Sequence, residues 1–202
     1  MRLHALIAIL TIISSNSFAG TYILPPDGID IFGETFTIKA NEEDTMLDIG
    51  RRYGVGFNEI KSANPNVDMW VPGKGTEITI PTQFILPPGP RSGVVVNVAE
   101  MRIYYFPKPQ KGEAPLVTTF PISVGRMDWN TPLGETTITA KVKDPAWYPP
   151  QSIRDEHEAD GDPLPKRVPP GPDNPLGQYA MRLGIPGYLI HGTNKPQGLG
   201  MR

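Results

Sequence analysis

The chain has 202 residues, with 19 Lys and Arg against 21 Asp and Glu, a formal net charge of −2 and no cysteine. So mild an acidity gives no electrostatic footprint for nucleic acid, and the absence of cysteine excludes disulfides and a thiol nucleophile within these residues. With 24 prolines and 21 glycines long helices are not expected, and the length suits one ordinary domain plus a small one.

The N-terminus is basic at Arg2, apolar over residues 3–13, and small and polar from Ser14 to its end in Ser17-Phe18-Ala19. That order is a secretory signal peptide, residues 1–19, cleaved after Ala19. Its apolar run is shorter than the roughly 20 residues a bilayer span needs, and no later stretch is long and apolar enough for one. Residues 20–33, "GTYILPPDGIDIFG", carry turn residues and no periodicity, and read as an extended lead-in.

Residues 34–82 show a strand, two helices and a strand. "TFTIK" alternates; "DTMLDIGRRYGV" has Asp44 or Thr45 as cap with Met46, Ile49 and Tyr53 at helical spacing. "GFNEIKSANPNVD" repeats the pattern through Phe57 and Ile60 and stops at Pro65, and "TEITIP" is the closing strand. The stretch resembles the lysin motif (LysM), a small βααβ module, with Glu43-Asp44 where that family usually has Gly-Asp before the first helix. The resemblance implies recognition of N-acetylglucosamine-containing glycans such as peptidoglycan; the same module also serves as a spacer with a degenerate binding face. Residues 83–92 lie in a Pro-rich stretch that reads as a stiff linker.

From Gly93 to the end the pattern is mainly β. "GVVVNVAEMRIYYF" gives two strands about a turn near Ala99-Glu100, with Tyr104 and Phe106 on one face and Tyr105 on the other. "LVTTFPISVG", "GETTITAKV", "QYAMRLG" and "GYLIHG" supply the others, suggesting a sandwich or barrel-like core. Residues 144–175 hold nine prolines and seven acids with almost no apolar periodicity. They read as an irregular, lid-like segment anchored by Trp147 and Tyr148.

Histidine is the scarce chemical resource. His4 lies in the signal segment, and His157 in "RDEHEADGD" reads as part of a solvated acidic loop, one imidazole being too few for a transition-metal site. His191 ends the apolar run Tyr188-Leu189-Ile190 and precedes Gly192-Thr193. A neutral imidazole there suits proton transfer to and from a nucleophile and a leaving amine. The same pattern fits a buried histidine satisfied by a backbone carbonyl.

The segments "GVVVNVAEMRIYYFP", "FPISVGRMDWNTPLGETTITAKV", "PPGPDNPLGQYAMRLG" and "YLIHGTNKPQGLGMR" resemble, in this order, the catalytic domain of the periplasmic L,D-transpeptidases of Gram-negative bacteria, closest to the branch that links the major outer-membrane lipoprotein to peptidoglycan. The resemblance covers residues 93–202. It implies a cysteine acyl-transferase that attacks a tetrapeptide stem, releases D-alanine and passes the acyl group to an amine of another stem peptide or of the lipoprotein. His191 matches the general base, Gly192 and Thr193 the residues that follow it, and the cysteine belongs to a Ser-His-Gly-Cys motif a short stretch further on. The 202 residues are therefore read as an incomplete copy of a longer enzyme, inactive as they stand. Arg126, Trp129, Asn130 and Tyr188 are candidate substrate contacts; no metal or cofactor is expected. The competing function is a non-catalytic peptidoglycan-binding wall protein, for which the missing thiol speaks.

Overall fold

The computed structural model describes residues 20–125 and 131–201. Among the described residues the chain is mainly β, with three antiparallel sheets and few helices. In order the elements are β1 (Gly20–Ile23), β2 (Ile31–Lys39), α1 (Met46–Tyr53), α2 (Phe57–Ala63), β3 (Glu77–Ile85), β4 (Gly93–Asn97), β5 (Arg102–Phe106), β6 (Leu116–Pro121), β7 (Ile138–Lys143), α3 (Gln151–Ala159), β8 (Tyr179–Leu183) and β9 (Leu189–His191). The sheets are ordered β1-β6-β5-β4, β2-β3 and β7-β8-β9. Two compact units result, Met1–Val124 with Gly200–Arg202, and Gly125–Leu199.

In the first unit β2 and β3 pair over nine residues, from Ile31 opposite Ile85 to Lys39 opposite Glu77. Helix α1 starts where the Thr45 hydroxyl accepts from the Asp48 N–H, a capping box closed by the Asp48 side chain. It stops at Gly54, whose left-handed backbone (φ 66°) glycine adopts without a Cβ penalty. The apolar spacing of both helices then faces the hairpin: Met46, Ile49, Ile60, Ile78 and Ile80 are fully buried together. A second apolar cluster joins Phe32, Phe84 and Leu86 to Tyr104, Phe106 and Val117, with Tyr22 edge-on to Phe32 at 5.1 Å.

Charge crosses between the helices and the four-stranded sheet. Arg102 of β5, only 2% exposed, forks onto both Glu59 carboxylate oxygens at 2.7 Å and donates to the Gly54 carbonyl (2.9 Å) and the Thr119 hydroxyl (3.1 Å). Its guanidinium also lies 4.1 Å from the centre of the Phe84 ring. Glu59 in turn accepts the Gly56 N–H at the start of α2. Each guanidinium nitrogen of the buried Arg102 thus has a partner, as a buried charge requires, while Glu59 stays partly exposed.

Three expectations are corrected. The lead-in of residues 20–33 is not plain extended chain: Gly20–Ile23 is a strand paired with β6, and Ile31 already opens β2. A four-residue strand followed by Pro25, Pro26 and Gly28 is too short to display its period. The linker range 83–92 begins inside β3, where Phe84 is buried. The segment 144–175 contains helix α3, which has no buried residue and so no apolar stripe to reveal it; of its two expected anchors Trp147 pairs with Val168, while Tyr148 is 65% exposed.

Candidate active site

His191 is the last residue of β9, which pairs with β8 so that Ala180 lies opposite His191 and Arg182 opposite Leu189. The ladder runs one residue further, the Gly192 N–H donating to the Tyr179 carbonyl at 2.9 Å. The imidazole is exposed rather than buried, and its Nδ1 lies 2.6 Å from the Gly192 carbonyl oxygen. A carbonyl oxygen only accepts, so in the neutral ring Nδ1 carries the proton and Nε2 is the basic nitrogen, with no hydrogen-bond partner among the described residues. That state suits a general base: Nε2 takes a proton while Nδ1–H holds the ring in place.

Thr193 does not point its hydroxyl at His191; it accepts the Lys195 N–H at 2.9 Å and shapes the turn after the strand. Tyr188, half-buried, precedes β9 by one residue, and strand alternation sets it on the opposite face from His191. Leu189 and Arg182 share the His191 face instead, the first 38% exposed and the second also exposed. Counting by twos back from His191 finds Leu189 in the sequence, but Arg182 emerges only from the register of β8. Arg126, Trp129 and Asn130 lie outside the described residues, as does the signal segment 1–19.

Beneath His191 sits a turn the sequence did not announce. Asn174 is wholly buried, and Gly177, with φ 64°, abuts Gly192 and Thr193 so closely that a Cβ on it would lie 2.7 Å from the Thr193 nitrogen. Elsewhere, His157 on α3 lies 3.5 Å from Asp162, and among the described residues no group of three or more His, Cys, Asp or Glu is gathered as a metal would need. No helix of the described residues is long and apolar enough to cross a membrane.

The loop that joins α2 to β3 carries the other exposed feature. Asp68 accepts the Trp70 and Val71 N–H groups at 2.8 Å each, and these bonds, Val71 first, hold its carboxyl below the usual carboxylate range. The turn so formed leaves Trp70 64% and Val71 72% exposed. The Met69 carbonyl accepts from the Met46 N–H, which brings this loop against the start of α1.

A family model for the YkuD L,D-transpeptidase catalytic domain matches residues 91–202. Among curated proteins, the chain is 44% identical over 189 residues to "Probable L,D-transpeptidase YcfS" of Escherichia coli (strain K12), covering 91% of this chain and 58% of that protein. It is 42% identical over 192 residues to "Probable L,D-transpeptidase ErfK/SrfK" of the same strain, with 94% and 60% covered. To "Probable L,D-transpeptidase YbiS", again of that strain, it is 40% identical over 191 residues, with 93% and 61% covered. The chain thus spans about three-fifths of the length of these relatives. With more than half of its residues matched by the catalytic-domain model, and β4 to β9 inside the match, the chain belongs to the YkuD L,D-transpeptidase family.

Proposed function

We propose that the protein to which these residues belong is a peptidoglycan L,D-transpeptidase with a cysteine nucleophile, and that His191 is its general base. The observation that carries this is the His191 ring, exposed, with Nδ1 committed to the Gly192 carbonyl and Nε2 without a partner among the described residues. The thiol proton passes to Nε2; the thiolate forms a C–S bond to the stem-peptide carbonyl while the amide C–N bond to D-alanine breaks, and the proton leaves on that amine. An acceptor amine then takes the acyl group and returns the thiol. The acceptor is an amine of a second stem peptide or of an outer-membrane lipoprotein. None of the 202 residues is cysteine, so the thiol is carried by residues other than these, in keeping with a family motif that lies beyond His191.

The βααβ stretch is proposed as a LysM-type glycan module, with exposed Trp70 offering an apolar ring to a sugar face. With a signal peptide at 1–19, the protein acts in the periplasm of a Gram-negative cell. Residues 144–175 are proposed to overlie the reacting centre. The second reading, a wall-binding protein without catalysis, is favoured by the absence of a thiol among these residues.

The test is intact mass after incubation with a carbapenem, which by family resemblance acylates the transpeptidase thiol. The protein isolated from its own cells is expected to gain one adduct, and its His191→Ala variant to do so at least about tenfold more slowly; the 202-residue chain is expected to gain none. A native protein that binds sacculi but takes no adduct would establish the second reading instead. Trp70→Ala, with unchanged melting temperature and reduced sacculus binding, is the expected mark of the glycan module.

A further inference from the structure

The strongest unexplained group is Asn174. Its side chain is fully buried and fully used: Nδ2 donates to the Pro145 and Pro169 carbonyls at 2.9 Å each, with Val168 at 3.4 Å, and Oδ1 accepts the Leu176 N–H at 2.9 Å. Its main chain donates to the Gly171 carbonyl and accepts from the Gly177 N–H at 3.0 Å. One amide head therefore joins the chain just after β7, the end of the proline-rich segment and the turn into β8. Of the neutral side chains, only an amide offers two N–H donors and a carbonyl on one head.

That turn bears directly on the strand end that carries His191. A Cβ at Gly177 would lie 2.7 Å from the Thr193 nitrogen and 3.0 Å from the Gly192 carbonyl carbon and Cα. A Cβ at Gly192 would lie 3.2 Å from the Leu176 carbonyl oxygen. Two glycines thus meet backbone to backbone, and a second tie runs from the Asn194 amide to the Asp173 carbonyl at 3.2 Å. The carbonyl that holds His191 Nδ1 belongs to Gly192, the residue so clamped.

We infer that the Asn174–Gly177 turn is a positioning element for His191: through the Gly192 carbonyl it sets the imidazole tautomer and leaves Nε2 as the basic nitrogen. Asn174 and Gly177 are positioning residues, acting through Gly192 and touching no reacting atom. The inference rests on His191 being the base only for its catalytic consequence; the tautomer is a property of the folded chain by itself.

The experiment reads imidazole nitrogen resonances of His191 in the neutral ring, in the 202-residue chain. Wild type is expected to show a protonated Nδ1. Gly177→Ala is expected to lose that signature in favour of the Nε2–H form. Gly161→Ala is the matched control, because Gly161 is also left-handed (φ 78°) but has nothing within 4 Å of an added Cβ; it should lose stability and leave His191 unchanged. Asn174→Asp, which keeps the acceptor for Leu176 and loses both donors, is expected to move His191 as Gly177→Ala does. Should either fail to fold, Asn194→Ala removes only the outer tie and is expected to shift the same resonances in the same direction by less. Unchanged His191 resonances in the variants that fold would overturn the inference and reduce the turn to a plain element of the fold. In the native protein, Gly177→Ala is expected to slow carbapenem acylation about tenfold or more. An altered tautomer with undiminished acylation would keep the positioning and defeat the base.

Discussion

Asp44 carries the clearest pH dependence at the scale of one residue. Its carboxylate takes the Arg52 guanidinium at 2.6 Å and the Asn41 N–H at 2.9 Å, and the Arg52 hydrogen bond, opposed by burial, holds its pKa below the ordinary carboxylate range. A carboxyl depressed on folding contributes stability above its unfolded pKa and loses it as pH falls through the folded value. The melting temperature is therefore expected to fall between about pH 5 and pH 3, and to fall less in Arg52→Met. With Arg52 itself 46% exposed the pair is worth about 1 kcal/mol at most; equal slopes for the two proteins would refute the assignment. Buried amides were the least legible residues. Asn64 stands in the sequence only as the residue before Pro65, where the second helical pattern stops, yet its Nδ2 donates to the Ile60 and Thr79 carbonyls and its Oδ1 accepts the Thr79 N–H, tying α2 to β3. Asn174 was invisible for the same reason: its partners Pro145 and Pro169 are chosen by the fold and leave no spacing rule behind. His191 could be picked out because scarcity and strand-end context are local signals.

Elements with an apolar period were readable, and those without one were not. Helices α1 and α2 follow their buried apolar spacing, whereas α3 buries no residue and β1 lasts four residues. The proline-rich connector was legible as extended chain, but not as a tie. Arg91 within it donates to the Pro25 carbonyl (2.8 Å) and the Ile29 carbonyl (3.1 Å) and meets the Asp30 carboxylate at 2.9 Å. Trypsin must draw an arginine side chain into its own pocket, so cleavage after Arg91 is expected to lag well behind cleavage after Lys111, which sits in the exposed turn between β5 and β6. Asp30→Ala should narrow the gap. Early cutting at Arg91 in the wild type would show that these bonds do not hold the connector.

On the scale of the whole molecule, the compact units divide between Val124 and Gly125 and not at the prolines. The strand β1 lies outside the family match at 91–202 and still completes the four-stranded sheet. The Arg102–Glu59 pair ties α2 to that sheet, beside the apolar cluster that joins the β2–β3 hairpin to it. Arg102→Met leaves Glu59 partly buried without its cation and is expected to cost about 3–5 kcal/mol, read from urea midpoints, while Arg102→Met with Glu59→Leu should recover much of the loss. A cost below about 1 kcal/mol for the single change would mean that the pair is not holding the unit together. Arg102 also changes what kind of object the βααβ stretch is. Cutting out residues 34–82 would leave the Arg102 guanidinium without the Glu59 carboxylate and the Gly54 carbonyl that answer it. The stretch has the outline of an interchangeable cassette but has grown into its host, and it can be probed by single substitutions on its surface and not by excision.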